Sequence, residues 1–187
     1  DAATWRAAGL TPADRTAIAG LVEIYNRGNL TNLLLLTALR QSLDGQQPAA
    51  SKGASTTAPD PLPAPPPLPR LDALAPGIAA LVEGLAARHP GGVVPSLYLH
   101  LAHWPQLLAA LPAWAGELIE PGAIVAARDA TLRLAAMEAA TLRPALDGLE
   151  AGKPGQPALA AIERFTQQVI PAMVPVGLGL RRLLAQP

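Results

Sequence analysis

The stretch Tyr25-Asn26-Arg27-Gly28-Asn29-Leu30, which runs into Leu33-Leu34-Leu35-Leu36-Thr37-Ala38-Leu39, decides the fold. It places a polar turn of glycine and asparagine directly before a helix that is apolar on nearly every side. Such a helix must be buried on nearly every side, so we expect it in the core. The asparagines at its start then lie where water is scarce, and each polar group there needs a defined partner. The stretch therefore predicts a buried helix with a polar site at its beginning.

The composition of the chain indicates an all-α fold. Of the 187 residues, 50% are hydrophobic and only 3% are aromatic, so the core must be built from Ala, Leu, Val and Ile. Alanine and leucine at this density favour helix, and no stretch shows the alternation expected of a strand. Fourteen basic residues balance fourteen acidic residues without forming a basic block. This charge distribution argues against a nucleic-acid partner.

Three further features of the sequence narrow the range of possible functions. The chain has no cysteine, which excludes disulfides, thiol nucleophiles and thiolate metal sites. No signal peptide is visible, and no uncharged apolar run has the length needed to cross a bilayer. We therefore expect a cytoplasmic protein with no membrane partner. The first residue is Asp rather than Met, so we expect that the chain is not the primary translation product.

Local signals predict two helices before residue 45. Thr11-Pro12-Ala13-Asp14 combines an N-cap, a proline at the first helical position and an acid near the positive end of the helix dipole. Gly28 is suited to a left-handed C-terminal conformation, which predicts that the first helix ends there. The leucine-rich helix then runs from about residue 30 to 43. The apolar stripe of the first helix consists of Ile18, Leu21, Val22 and Tyr25.

A proline-rich segment separates two parts of the chain. Residues 45–69 contain Ser, Thr, Ala and Gln, followed by seven prolines between Pro59 and Pro69. Prolines at this density remove backbone donors and fix extended geometry, which is typical of a flexible or partly polyproline-like linker. The segment lacks the basic cluster of a proline-rich ligand, so we interpret it as a tether. The predicted division is 1–44, the linker 45–69 and 70–187.

Helical patterns return after the linker. Pro76 enters or breaks the first of these helices, Trp104-Pro105 kinks or ends the short helix that begins at Ser96, and the last helix must bend at Pro171 and Pro175. The predicted helices cover about residues 71–88, 96–104, 105–114, 123–149 and 158–184.

Two segments together resemble a known family. The Tyr25–Leu39 stretch is similar to the Tyr/Phe-Asn-x-Gly-Asn turn and Leu-Leu-Leu-x-Thr-Ala-Leu helix of the group I 2-haloacid dehalogenases, the DehI family. A second segment, Pro95-Ser96-Leu97-Tyr98-Leu99-His100-Leu101-Ala102-His103-Trp104-Pro105, is similar to that family's Ser-Asp-Phe-x-x-Leu-Ala-x-Trp-Pro segment. The order and rough separation of the two segments also fit.

The resemblance implies a helical-repeat pseudo-dimer, related in style to AhpD-like helical folds, with the site between two facing repeats. A faint internal repeat agrees with it, because Val22-Glu23-x-Tyr25 lies over Ile162-Glu163-x-Phe165 when the chain is shifted by 140 positions. In this comparison 1–44 matches the closing helices of the first repeat and 70–187 the whole second repeat. The opening helices of the first repeat have no counterpart, and another subunit or a missing segment would cover the apolar faces that this leaves exposed.

As the resemblance implies, the function is hydrolytic dehalogenation without a cofactor or a metal. Water attacks carbon 2 of a short 2-halo carboxylic acid, and the family members form dimers, so the implied partners are a small 2-substituted carboxylic acid and a second copy of the chain. Asn29 matches the asparagine that holds the water. The positions matching the substrate pocket are Asn32, Ser96, Ile162 and Phe165, and Leu97 occupies the position of the catalytic acid.

Leu97 leaves the enzymatic activity open. Leucine cannot accept a proton, so general-base catalysis at this position is impossible. The acids that offer a substitute are Glu117, Glu120, Asp129 and Glu138, none of which lies on a matching motif position. The alternative function is a catalytically silent relative that binds a small carboxylate or serves as a helical assembly module. A third is a different hydrolytic reaction that uses an acid elsewhere.

Each candidate residue also has a structural interpretation. Asn29 follows Gly28 at the predicted helix junction, where capping would explain it, and Ser96 after Pro95 fits an ordinary N-cap. Tyr25 and Phe165 fit core packing. A histidine pair with three-residue spacing, His100 and His103, suggests a metal site, but no ligating carboxylate lies close in sequence. We therefore predict no metal.

Overall fold

The computed structural model describes residues 2–46, 49, 61–90, 92–142 and 155–185. Every regular element in these ranges is helical, so the all-α prediction is confirmed. The α-helices are α1 (Ala2–Ala7), α2 (Pro12–Leu43), α3 (Pro76–Ala86), α4 (Ser96–Leu101), α5 (Pro105–Trp114), α6 (Pro121–Leu142), α7 (Gln156–Arg164) and α8 (Ile170–Ala185). Short 3-10 helices cover Leu71–Ala73 and Gly116–Ile119, and a π-helical turn, Phe165–Val169, joins α7 to α8. None of the helices described has the length and apolarity required to cross a membrane.

Helix α2 begins where the sequence predicts. The Thr11 hydroxyl accepts a hydrogen bond of 3.1 Å from the backbone N–H of Asp14, and the Asp14 carboxylate accepts one of 2.8 Å from the backbone N–H of Thr11. This reciprocal capping box satisfies two of the donors that a helix start leaves unpaired. Pro12 occupies the first turn, where its missing N–H costs nothing.

The predicted break at Gly28 is wrong, because α2 continues unbroken through it to Leu43. The glycines with positive φ in the described residues are Gly9, Gly45 and Gly92, so Gly28 keeps helical geometry. A glycine inside a helix costs only about 1 kcal/mol relative to alanine. The packing of α2 against α6 and α8 offsets that cost, and an ion pair of 2.9 Å between Glu23 and Arg27 supports the same turn.

The prediction that the leucine-rich segment is buried on nearly every side is also wrong. Leu33 and Ala38 are buried, but Leu30, Leu35 and Leu43 are 39%, 45% and 42% exposed. The reason is that α6 and α8 pack against the helix and leave part of its circumference uncovered by the described residues. The uniform apolarity of this segment therefore does not indicate that the helix is buried on all sides.

Two apolar clusters hold the helices together. The larger one joins α1, α2, α3, α4, α5 and α8, and Trp5, Ile18, Tyr98, Leu108 and Met173 are among its buried side chains. The smaller one lies where α2, α6 and α8 meet and contains Leu33, Ala135, Ile170 and Val174. Helices α2 and α8 each contribute to both clusters, so together they connect the two halves of the core.

The proline-rich region is extended where it is described. Residues 61–70 have no regular secondary structure and lie against α2 and α4. The backbone carbonyls of Pro66 and Pro67 each accept a hydrogen bond of 2.9 Å, from Nε2 of His100 and of His103. Residues 47–48 and 50–60 of the predicted linker lie outside the described residues, as do residues 143–149 of the helix predicted over 123–149. The domain division and the two-repeat arrangement stay predictions.

The bends predicted at Pro171 and Pro175 stay predictions, and the described backbone shows a π-helical turn shortly before Pro171. Proline has no N–H, and its ring collides with the carbonyl four residues earlier, so a regular turn cannot run through it unchanged. The wider Phe165–Val169 turn comes directly before this point and separates α7 from α8. Pro175 is accommodated inside α8.

Helices α2 and α8 approach each other closely where Asn26 meets Gly177. The buried side chain of Asn26 donates a hydrogen bond of 3.1 Å from Nδ2 to the backbone carbonyl of Gly177. A Cβ atom on Gly177 would overlap Oδ1 of Asn26, so this position requires glycine. In contrast, a Cβ atom on Gly28 would meet no atom within 4 Å.

We expect Gly177→Ala to lower the free energy of unfolding by roughly 1–3 kcal/mol, because it overpacks a buried contact and disturbs the Asn26 hydrogen bond. Gly28→Ala is the matched control, and it should raise that free energy by up to about 1 kcal/mol through helix propensity. Urea denaturation followed by far-UV circular dichroism measures both changes. Equal effects of the two substitutions would contradict the close approach of α2 and α8.

Candidate functional site

A pocket of about 150 Å³ lies between α2, the start of α4 and the π-helical turn that leads into α8. Its lining residues are Tyr25, Asn29, Asn32, Pro95, Ser96, Leu97, Phe165, Val169, Ile170 and Met173. The pocket therefore brings together five of the six residues that the sequence singles out, from three separate parts of the chain. The sixth, Ile162, lies on α7 before the π-helical turn and is not among the lining residues.

Helix α2 supplies most of the polar wall of the pocket. Tyr25, Asn29 and Asn32 follow one another at spacings of four and three residues, which places them on one face of a continuous helix. Asn29 is half-buried inside the helix and lies far from either end. The capping interpretation of Asn29 is therefore wrong, because its backbone groups belong to the interior of a helix. Its side-chain amide lines the pocket instead.

Ser96 does not cap α4. Pro95 occupies the N-cap position, no side chain caps this helix end, and Ser96 is the first residue inside the helix. Ser96 lines the pocket together with Tyr25, and its hydroxyl opposes the rise in the pKa of the Tyr25 phenol. The helix start thus delivers a hydroxyl to the polar wall formed by α2.

The other residues that line the pocket are apolar. Leu97, at the position matching the family's acid, is only 1% exposed and belongs to the main core cluster. Phe165 is 47% exposed at the pocket mouth, so the core-packing interpretation of this residue is wrong. Val169, Ile170 and Met173 complete this side. The pocket therefore offers amide and hydroxyl groups together with hydrocarbon side chains.

No acidic or basic side chain is among the pocket's lining residues. Of the four acids considered as substitute bases, Glu117 lines a different depression beside Trp114 and Leu183. Glu120 forms an ion pair of 3.4 Å with Arg88, and Asp129 one of 2.8 Å with Arg128. Glu138 is an exposed residue of α6 that is also absent from the lining. These four acids therefore do not supply a base to this pocket.

Tyr25 connects the pocket to a chain of hydrogen bonds that the sequence does not reveal. Its hydroxyl lies 2.6 Å from Nδ1 of His100, and Nε2 of His100 lies 2.9 Å from the carbonyl oxygen of Pro66. A carbonyl oxygen only accepts, so Nε2 of His100 carries a proton and donates it. In a neutral imidazole Nδ1 is then an acceptor, and Tyr25 donates its hydroxyl proton to it.

The pKa values of this pair keep both groups neutral near pH 7. Burial raises the pKa of Tyr25 to about 12, and the Ser96 hydrogen bond partly opposes this rise. Burial also lowers the pKa of His100, as does nearby His103, while the hydrogen bond to the Pro66 carbonyl opposes the decrease. A neutral phenol beside a neutral imidazole is the state in which the hydrogen bond from Tyr25 to His100 is satisfied.

The metal interpretation of the histidines finds no support in the geometry. His100 and His103 each use Nε2 to bind the backbone carbonyl of a proline, and Nε2 of His89 lies 2.8 Å from the Tyr98 hydroxyl. In the part of the chain that the structure describes, no group of three or more His, Asp or Glu side chains is arranged to hold a metal ion.

Sequence reasoning missed Tyr25 and His100 as members of the site. Tyr25 was interpreted as a core residue because it continues the apolar stripe of α2, and it does pack against the main core cluster. The available signal was its i, i+4, i+7 relation to Asn29 and Asn32, which becomes visible only when Gly28 is kept inside the helix. No protein-family model and no curated protein matches the chain.

The two tyrosines of the chain provide a direct test of this hydrogen-bonded network. Titration with alkali, followed by phenolate absorbance, isolates Tyr25 when the curve of Tyr25→Phe is subtracted from that of the natural protein. We expect this difference curve to have a midpoint near pH 12. The midpoint should rise further in Ser96→Ala, because the Ser96 hydroxyl stabilises the phenolate. A midpoint near the ordinary tyrosine value of about 10, in protein that circular dichroism shows to be folded, would contradict the network.

Proposed function

We propose that this pocket binds a short 2-substituted carboxylic acid and that the chain is a divergent relative of the group I 2-haloacid dehalogenases. The observation that carries the proposal is the convergence of Asn29, Asn32, Ser96, Leu97 and Phe165 on one pocket. These residues come from separate segments, and they were selected because they match one family's site. Their convergence supports the resemblance independently of the sequence motifs.

The chemistry of the walls fits this class of ligand. The amides of Asn29 and Asn32 and the hydroxyl of Ser96 offer donors to the carboxylate oxygens, while Leu97 and Met173 provide apolar contacts for the carbon chain and a halogen. Pockets for drug-sized ligands have volumes of about 300–1,000 Å³. A volume of about 150 Å³ suits a molecule of a few carbon atoms.

The residues that line this pocket also differ from the family site that the resemblance implies. A carboxylate base is absent from it, because leucine stands at the matching position. Binding of the acid is therefore the function that the geometry supports best. The second candidate is hydrolysis of the bound acid, and it requires a proton acceptor other than an acid of this pocket.

The Asn29 amide is the most direct test of ligand binding. We expect the natural protein to bind 2-chloropropionate and lactate, and Asn29→Ala to weaken binding by about fivefold to tenfold, because the loss of one hydrogen bond costs about 1 kcal/mol. Titration followed by NMR chemical shifts measures the affinity. Thr31→Ala is the matched control, since Thr31 is an exposed residue of the same helix that does not line the pocket. Failure of the natural protein to bind either acid would sink the proposal.

We also propose that the chain associates with a second copy, as the resemblance implies. Support comes from exposed apolar side chains on α6, where Leu134 is 62% and Met137 is 68% exposed. Burying such side chains against a partner is favourable by roughly 25 cal/mol for each Å² of apolar surface removed from water.

Sedimentation velocity tests the association. We expect the natural protein to sediment as a dimer and Met137→Glu to shift it toward monomer, while Glu138→Gln, an exposed change one residue away, leaves the dimer intact. A natural protein that is monomeric at high micromolar concentration would contradict self-association.

A further inference from the structure

The hydrogen-bonded chain behind the pocket contains a basic group, the imidazole of His100. The four acids considered above do not supply such a group to the pocket. The hydrogen-bonded chain runs from the Tyr25 hydroxyl to Nδ1 of His100, and from Nε2 of His100 to the carbonyl of Pro66. Tyr25 lines the pocket and His100 lies behind it, 7% exposed. A proton that reaches the phenol oxygen therefore has a continuous path to an imidazole nitrogen.

The direction of the hydrogen bonds determines what Tyr25 presents to the pocket. Its only proton is donated to His100, which leaves the two lone pairs of the phenol oxygen as acceptors. Because Tyr25 lines the pocket together with Asn29, these lone pairs face a space where a donor such as a water molecule can be held. Tyr25 thus meets the geometric requirement for a group that accepts a proton from the pocket.

We propose that Tyr25 and His100 together replace the missing acid, with Tyr25 accepting a proton from the attacking water while it passes its own proton to His100. The proposal rests on the proposed binding of a short 2-halo carboxylic acid. It extends that function to hydrolysis, and it assigns the substitute base to a phenol–imidazole pair.

The proposed step is the displacement of halide by water at carbon 2. The water oxygen forms a bond to carbon 2, and the carbon–halogen bond breaks, so that halide leaves with the electron pair. One water proton moves to the Tyr25 oxygen, the original Tyr25 proton moves to Nδ1 of His100, and the second water proton stays on the product hydroxyl. His100 is then a cation that still donates from Nε2 to the Pro66 carbonyl. Reversal of the proton shift, with release to solvent, restores the neutral pair.

The surroundings of His100 are compatible with this role. An ordinary imidazole, with a pKa of about 6.5, is a stronger base than an ordinary aspartate, with a pKa of about 3.9. The groups that face His100 are the Tyr25 hydroxyl from α2, the Pro66 carbonyl from the extended segment and His103 from the next turn of the chain. Burial lowers the pKa of His100 and keeps it neutral, which is the form that accepts a proton.

A purely structural role for this hydrogen-bonded chain predicts different behaviour. In that case the bonds fasten residues 61–70 to α4, and only the stability of the protein depends on them. His100→Gln separates the two roles, because a glutamine amide can accept from Tyr25 and donate to Pro66 but cannot become a cation. His103→Gln is the matched control, since His103 makes the same kind of bond to the next proline and does not contact Tyr25.

The experiment measures halide release from D- and L-2-chloropropionate by the full chain between pH 5 and 9, and binding of the same acids by NMR titration. We expect release by the natural protein that is lost as the pH falls through the pKa of His100, below 6.5. Tyr25→Phe and His100→Gln should each lower kcat by about a hundredfold or more with little change in affinity, and His103→Gln should retain activity. Leu97→Asp added to His100→Gln should restore release by returning an acid to the pocket.

Each contradictory result has a distinct meaning. Binding by the natural protein without halide release would overturn the proton-acceptor assignment and leave the proposed binding function in place. Full activity of His100→Gln, or a pH profile unchanged by it, would also overturn the assignment. Absence of binding would refute the proposed function itself. Tyr25→Phe remains a test if His100→Gln fails to fold.

Discussion

The unbroken backbone hydrogen bonding of α2 through Gly28 is the constraint on which the rest of the structure depends. It makes one helix of 32 residues that contributes to both apolar clusters. It also aligns Tyr25, Asn29 and Asn32 on a single face, which a turn at Gly28 would have dispersed. The close approach of Asn26 to Gly177 then fixes α8 beside α2, so that the segment leading into α8 closes the other side of the pocket.

Much of this arrangement can be predicted from the sequence, and the predictions that are wrong have physical causes. The helix start at Thr11 and the all-α class depend on local sequence and composition, and both were predicted. The helix break at Gly28 was predicted from a glycine that tolerates left-handed geometry but does not require it. Whether such a glycine ends a helix depends on tertiary packing, which the local sequence does not contain.

The candidate site shows the same division between local and long-range information. Asn29, Asn32, Ser96 and Phe165 could be selected because the family resemblance supplies their roles, and the structure brings them to one pocket. Ile162 does not line it, since the π-helical turn intervenes between this residue and the pocket segment. The link from Tyr25 to His100 spans 75 residues, and the link from His100 to Pro66 spans 34. Neither contact leaves a signature in local spacing, so neither could be predicted.

The extended segment 61–70 gives the pocket a second layer of support. Its carbonyl at Pro66 fixes which nitrogen of His100 carries the proton, and that choice determines that Tyr25 donates away from the pocket. A segment that composition alone describes as a tether thereby influences the hydrogen-bonding character of the site. Helix α2 and the start of α4 supply the polar groups of the pocket, and this segment binds His100 behind them.

A crystal structure of the protein with bound 2-chloropropionate tests the central claim most directly. We expect the carboxylate within hydrogen-bond distance of Asn29, Asn32 or Ser96. Carbon 2 should face the apolar side chain of Leu97, and the Tyr25 hydroxyl should be directed to His100. A ligand bound elsewhere, or a pocket that stays empty in crystals grown at saturating ligand, would contradict it.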